Sequence, residues 1–434
     1  MNNSKYLKAQ ETLNEYEANS MHGQLPVYWK SAKGSTIKDH NNKKFIDFTS
    51  GIFVTNIGHS NRYIKNAIRK VLNSNLIHSY TYLNEFRVNY IKELVEFCGS
   101  NFEKAYLASS GTEATETALK LMRMYGLKVA KKRKPGIVSI TGNYHGRTMG
   151  SFMMSGFPQS KWWIGHQDPN IHFMDFPYPW EVSEEIGKDF FNKQIQNLET
   201  KGVDFKNDIS GIILETFQGW GALFYPKTYV KALNDFAKKN NILICFDEMQ
   251  AGFYRTGKKF GYEHYEVNPD IICIGKGMSS GLPLSGVVSS KEILDLPQPG
   301  ELSSTNSANP MVCSAGLATI RYMNKASFIK SLNANCEFFN QELSKIQEEF
   351  SDRIRVFGKG MISAIIVNNH KGEPDVSTTN LLVDDLLNNG LLVVKTGRES
   401  IKLGPPLNIK HRYLKKGLNI LHNSIRNILN DSIQ

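Results

Sequence analysis

Two residues in this chain are placed where they could do chemistry, Asp247 and Lys276. Each follows a short apolar run, 242–246 (ILICF) and 271–274 (IICI). Runs that short and that rich in Ile read as buried parallel strands rather than helices. In open α/β sheets ligands sit off the carboxyl ends of the strands, so an acid and a lysine delivered to that edge are candidates for one site. A lysine freed from hydration forms a Schiff base with a carbonyl cofactor. Pyridoxal phosphate needs such a lysine, plus a carboxylate against its pyridinium nitrogen. Asp247 would keep that nitrogen protonated, and Lys276 would hold the aldehyde and then shuttle the proton. Both residues also have a plain reading: Asp247 can cap a following turn, and Gly275-Lys276-Gly277 can be a solvated turn.

Two nearby patterns resemble phosphate-binding signatures and fail. Residues 252–259 (GFYRTGKK) fit seven positions of a P-loop, but the eighth is Lys259 where a Ser or Thr must hold magnesium. Residues 275–281 (GKGMSSG) are one residue longer than the dinucleotide fingerprint. A better phosphate site opens at Ser110-Gly111-Thr112-Glu113, where a helix is predicted to run through about Tyr125. Ser110 and Glu113 match a capping box, so this can be simply a well-capped helix. The same geometry offers free backbone N–H groups and a positive dipole end to a phosphate, with the Thr112 hydroxyl beside them. Further on, Tyr144 could stack on a flat ring and Arg147 could grip a carboxylate bidentately. As plain alternatives they are a packed tyrosine and a surface arginine.

The elements that must position these residues follow a β–α–β order. Short strands are predicted within 101–109, at 136–141, 209–215 and 282–289, besides the two that deliver Asp247 and Lys276. Helical periodicity covers 61–74, 84–97, 228–239 and much of 311–350. That alternation predicts an α/β fold with a mainly parallel sheet and right-handed crossovers. Residues 27–59 read as hairpins, and 149–201 as irregular and aromatic-rich, with Trp162, Trp163 and Trp180. From Asp352 short strands and helices read as a smaller α+β domain, hinged near 327–332. The resulting division is an N-terminal segment (1–60) packing with the small domain, a large cofactor-binding domain (61–325) and the small C-terminal domain (326–434).

Composition bounds the alternatives. With 434 residues, 41% hydrophobic and 21% charged, the chain is sized for two globular domains with a large core. No apolar run approaches the length of a membrane span, and the N-terminus lacks an apolar signal core. The five cysteines form no C-x-x-C pair, which suits reduced thiols in a cytoplasmic protein and gives no metal site. The net charge of +11 raises the question of nucleic acid, but the only dense basic run is 131–134 (KKRK), without interleaved aromatics. Neither a nucleic-acid nor a membrane partner is expected.

Five motifs, in order, extend the reading: SGTEATETALKLMR, YHGRTMGS, FDEMQAGFYRTGKKFGYE, PDIICIGKGMSSGLPLSGVV and STNSANP. They resemble the class III aminotransferases, the ω-amino-acid type of the fold-type I pyridoxal-phosphate enzymes. The likeness runs from LPVYW at Leu25 to GPPLNI at Gly404. It implies a large domain with a mainly parallel sheet flanked by helices, plus a smaller α+β domain. It also implies a ping-pong transfer of an amino group from an amine or ω-amino acid to an oxo acid. Pyridoxal-phosphate aminomutases, racemases and decarboxylases on the same fold are the alternative.

By that resemblance Lys276 is the Schiff-base lysine, Asp247 the pyridinium partner and Gln250 the side chain beside the ring hydroxyl. Gly111 and Thr112 cradle the phosphate with Ser110 adjacent, Tyr144 stacks on the ring, and Arg147 binds a substrate carboxylate. Thr305 reaches the phosphate of the neighbouring subunit, which implies a homodimer with shared active sites.

Two positions depart from the family together. An arginine commonly precedes the apolar-Pro-Pro segment and grips the α-carboxylate of glutamate, and here Lys402 stands there. Its usual glutamate partner, in a Glu-Pro-x-Gln-Gly-Glu motif, is replaced by Trp220 in Glu215-Thr216-Phe217-Gln218-Gly219-Trp220. Lys402 and Trp220 are therefore expected on the substrate side. A lysine binds a carboxylate as a point charge, with less geometric control than an arginine fork. Glutamate is disfavoured as the standard donor, and the pocket has room for a bulkier or more apolar amine.

Overall fold

The computed structural model describes residues 4–23, 25–129 and 134–431. The first three residues of the basic run, 131–133, lie outside them, while Lys134 is buried and donates to the Asn240 and Asn241 carbonyls.

A seven-stranded sheet carries the molecule, in the order Lys104–Ala108, Ser285–Ser289, Ile271–Ile274, Leu243–Asp247, Ile209–Glu215, Gly136–Ile140, Ile171–Met174. The five strands from Ile271–Ile274 to Ile171–Met174 pair in parallel, and Ser285–Ser289 runs antiparallel to both its neighbours. The central strands are buried along their whole length, the pattern of a sheet covered on both faces. Helix Gly111–Val129 covers one face with Ala114, Ala118, Leu121 and Met122, all fully buried. Burying Leu121 and Met122 contributes about 2 kcal/mol each.

The hairpins expected at 27–59 form Trp29–Lys33, Thr36–Asp39 and Lys44–Asp47. The last of them pairs in parallel with Leu391–Leu392, so the N-terminal strands join a sheet with the late part of the chain. A third sheet collects Ile354–Lys359, Ile362–Val367, Ser400–Leu403 and Val394–Lys395.

Three local expectations differ from the structure. The stretch 149–201 is not irregular: it holds strand Ile171–Met174 and helix Gly187–Thr200, which buries Phe191, Ile195 and Leu198. No hinge falls at 327–332, because one helix runs unbroken from Ala326 to Glu349. Ser50–Phe53, after the hairpins, is a left-handed turn, with φ of 49°, 60°, 61° and 65° at its four residues. Left-handed backbone costs about 1–2 kcal/mol per non-glycine residue, so tertiary contacts must hold it.

Arg255 supplies several of them. It is fully buried, and its Nη1 donates to the Met361 (2.9 Å) and Pro405 (2.6 Å) carbonyls. Its Nη2 donates to Asn56 Oδ1 (2.7 Å) and Ser50 Oγ (3.4 Å). Burial pulls its pKa down to about 9. The guanidinium thus ties the turn to the Gly404-Pro405 segment that follows strand Ser400–Leu403.

Candidate active site

Asp247 ends the central strand directly opposite Glu215 on one side and Cys273 on the other. Lys276 lies two residues beyond Ile271–Ile274, after an extended Gly275. Its own φ is +41°, a left-handed conformation that lysine seldom takes. The turn after Gly136–Ile140 brings Tyr144 to Arg147 to the same edge. The segment after Lys104–Ala108 opens the helix at Gly111. Five strands therefore deliver side chains to one cavity of about 300 Å³, whose lining includes Gly111, Thr112, Tyr144, Asp247, Gln250 and Lys276.

Asp247 is buried, with Oδ1 accepting from the Met249 N–H (3.1 Å) and Oδ2 lying 2.9 Å from His145 Nδ1. The carboxylate gives that ring nitrogen the proton-bearing role. His145 Nε2 is buried without a hydrogen-bond partner. Burial lowers the pKa of the Lys276 amine, against the opposing charges of Asp247 and Glu215. Burial raises that of Glu215, and the Asp247 charge raises it further. Glu215 Oε2 accepts from the Tyr144 N–H (2.9 Å), which fixes the loop carrying the tyrosine.

At the helix start, Glu113 reaches back to the Ser109 and Ser110 N–H groups (3.1 and 2.7 Å). Ser110 Oγ donates to Glu113 (2.9 Å), so only half of the expected capping box forms. Ser110 itself is exposed and outside the cavity lining. Gly111 and Thr112 line the cavity, and first-turn N–H groups there have no acceptor within the helix. A Cβ on Gly146 (φ +137°) would come 2.3 Å from Thr112 Oγ1, so only glycine lets the Tyr144–Arg147 loop close on the helix start.

The substrate-side residues separate. Arg147 is exposed on the cavity wall, 5.7 Å from the Tyr144 ring centroid, with no carboxylate partner among the described residues. Lys402 is buried, and its Nζ donates to the Gly219 carbonyl (2.6 Å) and to Gln250 Oε1 (2.8 Å). Trp220 donates from Nε1 to Gln218 Oε1 (2.6 Å), and the Arg398 guanidinium lies 3.8 Å over its ring. Thr305 is exposed and does not line the cavity of its own chain.

Two cavity residues go beyond the sequence expectation, His145 and Glu215. A single histidine between Tyr144 and Arg147 has no spacing signal. Glu215 does carry one, as a second acid closing a buried strand in ISGIILE.

The sequence profile described as aminotransferase class-III matches residues 17–425. The 4-aminobutyrate aminotransferase of Mycobacterium leprae is 31% identical over 411 residues, 92% of this chain and 90% of that protein. The acetylornithine aminotransferase of Clostridium acetobutylicum is 27% identical over 408 residues, 93% of this chain and 98% of that protein. An (S)-enantioselective omega-transaminase from Thermomicrobium roseum superposes with a TM-score of 0.86 at 25% identity, covering 97% of this chain and 99% of its own. A transaminase from the marine bacterium Virgibacillus shares the fold, with a TM-score of 0.88 at 22% identity over 98% and 99% of the two chains.

The sheet and its flanking helices have the fold of known transaminases, and the family match makes the protein a pyridoxal-phosphate-dependent transferase of fold type I. The chain belongs to the class-III aminotransferases and transfers an amino group from an amino donor to an oxo acid. The cavity fits that cofactor: about 300 Å³ is lined by the helix start at Gly111 and Thr112, by Tyr144, and by the acid and lysine of the sheet edge, with the orphaned polar His145 Nε2 behind Asp247. Among the described residues no His, Cys, Asp and Glu cluster could hold a metal ion, and no helix is long and apolar enough to cross a membrane.

Proposed function

We propose that the amino donor is an amine or ω-amino acid rather than glutamate, and that Lys276 and Asp247 are the catalytic residues. The observation that carries the donor reading is Lys402, whose ammonium group is bonded to two acceptors of the protein and has no carboxylate within ion-pair distance among the described residues. The M. leprae relative named for 4-aminobutyrate, an ω-amino acid, supports the same reading. Arg147, exposed on the cavity wall and without an ion-pair partner, is the group that binds a substrate carboxylate.

When bound, the cofactor draws electrons from the substrate carbon. Gly111 and Thr112 would hold its phosphate at the helix N-terminus, and Tyr144 and Gln250, which line the same cavity, would hold its ring. Asp247, oriented by His145, holds a negative charge at the pyridine nitrogen and keeps the proton there. Lys276 moves the proton at the substrate carbon; its lowered pKa makes the neutral amine available nearer to neutral pH. Asp247→Ala should slow the donor half-reaction about a hundredfold in rapid-mixing absorbance measurements, with cofactor still bound. A nearly unchanged rate would remove Asp247 from this role.

The same reading makes the protein a homodimer in which Thr305 serves the partner's phosphate. Exposed Ile77, Tyr82, Leu83 and Val88 lie close in sequence and support a buried subunit face. A cytoplasmic location is part of the proposal, supported by five cysteines that are all free, two of them with Sγ atoms only 3.7 Å apart. A pool of these thiols oxidised in protein isolated under alkylating conditions would contradict it.

A further inference from the structure

Lys402 projects from the middle of a sheet. Its strand, Ser400–Leu403, is paired on both sides, with Lys402 opposite Ala364 and Val394. The side chain runs into a buried space where three groups receive it: the Gly219 carbonyl at 2.6 Å, Gln250 Oε1 at 2.8 Å and the face of the Phe53 ring, 4.6 Å to its centroid. An ammonium group has three donors and no acceptor. Two are placed in hydrogen bonds and the third side meets an aromatic face, so a substrate carboxylate could reach this nitrogen only by displacing a protein partner.

The bond to Gln250 has a consequence for the cavity. An amide side chain can present either its oxygen or its NH2 group in a given direction, and the choice is set by its neighbours. In its protonated form Lys402 is a donor-only neighbour and removes the choice: Oε1 must face it. Nε2 then turns toward Glu215 Oε1, at a long 3.4 Å, on a side chain that lines the cavity. Gly219 leaves the space for the amide, since a Cβ there would come 2.7 Å from Gln250 Nε2.

We propose that Lys402 is a positioning residue, which locks the Gln250 amide so that it offers an N–H donor to the oxygen of the bound ring, and that it does not anchor the substrate carboxylate. The proposal rests on the reading that the ring hydroxyl lies beside Gln250, and is independent of which donor is used. Burial lowers the Lys402 pKa while Glu215 favours the charged form and Lys276 opposes it. These charged groups face it from the carboxyl edge of the seven-stranded sheet, with Arg255 across the Phe53 ring and Asp247 behind Glu215.

The test uses the holoenzyme and three variants, Lys402→Met, Gln250→Met and the double variant. Two readouts are taken: the pH midpoint of the visible absorption band, and kcat and KM for an ω-amino acid and for the amine that lacks only its carboxylate. Losing one N–H donor to the ring oxygen should move the band midpoint by about one pH unit. Lys402→Met and Gln250→Met should move it equally, and the double variant no further, because both break one interaction. Lys402→Met should lower kcat by a similar factor for both substrates. Gln250→Met carries the same test if Lys402→Met does not fold, with an unmoved midpoint counting against the proposal.

A tenfold or larger rise in KM confined to the carboxylate-bearing substrate would overturn it and make Lys402 a carboxylate anchor. So would midpoint shifts that add in the double variant. If glutamate proves a good donor while the shared midpoint shift is found, the donor reading fails and this one stands.

Discussion

At the scale of single residues, the proposed chemistry turns on one amine held out of water. Lys276 is positioned by a backbone in the left-handed region and flanked by Asp247 and Glu215, yet burial outweighs their charges and lowers its pKa. The neutral amine is the nucleophile, so a lower pKa means that it is populated at lower pH. Capture of pyridoxal phosphate by the apoprotein should therefore accelerate as pH rises, with a midpoint below the 10.5 of an ordinary lysine, and level off above it. Stopped-flow absorbance across pH measures this directly; a midpoint near 10.5 would contradict the buried amine. Asp247 and Lys276 were legible in the sequence because a polar residue ending a short Ile-rich run marks a strand end. His145 was not, since its importance comes from a 2.9 Å contact across 102 residues of chain.

At the scale of elements, the turn after the central strand is organised by a buried acid, the third residue of the FDEMQAG stretch. Glu248 is fully buried. It accepts from Thr216 Oγ1 (2.5 Å) and from the Gly261 and Tyr262 N–H groups (2.8 Å each). Burial raises its pKa to about 7 against the pull of those donors. A glutamine there would turn an NH2 group onto a donor, so Glu248→Gln should cost about 2 kcal/mol in denaturant unfolding, whereas an unchanged midpoint would mean the network is dispensable. Sequence patterns located most strands and helices, because apolar runs and 3.6-residue periodicity survive in any context. Helix Gly187–Thr200 escaped because its start has no side-chain cap to announce it. The left-handed Ser50–Phe53 turn is illegible in principle. Ile and Phe disfavour that backbone, and only contacts such as those of Arg255, more than 200 residues away, select it.

At the scale of the whole molecule, the fold class was legible from alternating strands and helices, while the joining of residues 44–47 to 391–392 depends on pairing across most of the chain. The exposed apolar residues between 77 and 88 remain without partners in one chain, and Leu83 is 88% exposed. Sedimentation should give a dimer, and Leu83→Glu should weaken it and reduce activity with it, since Thr305 would no longer reach the neighbouring site. A fully active monomer would show that each site is complete alone.

The most direct test of the central claim is the visible spectrum of the purified holoenzyme, recorded before and after adding single amines and amino acids without any oxo acid. The band should be absent in Lys276→Ala and should be bleached by amines or ω-amino acids but not by glutamate. Ready bleaching by glutamate would contradict the donor preference drawn from Lys402 and Trp220, and a band that survives in Lys276→Ala would contradict the site itself.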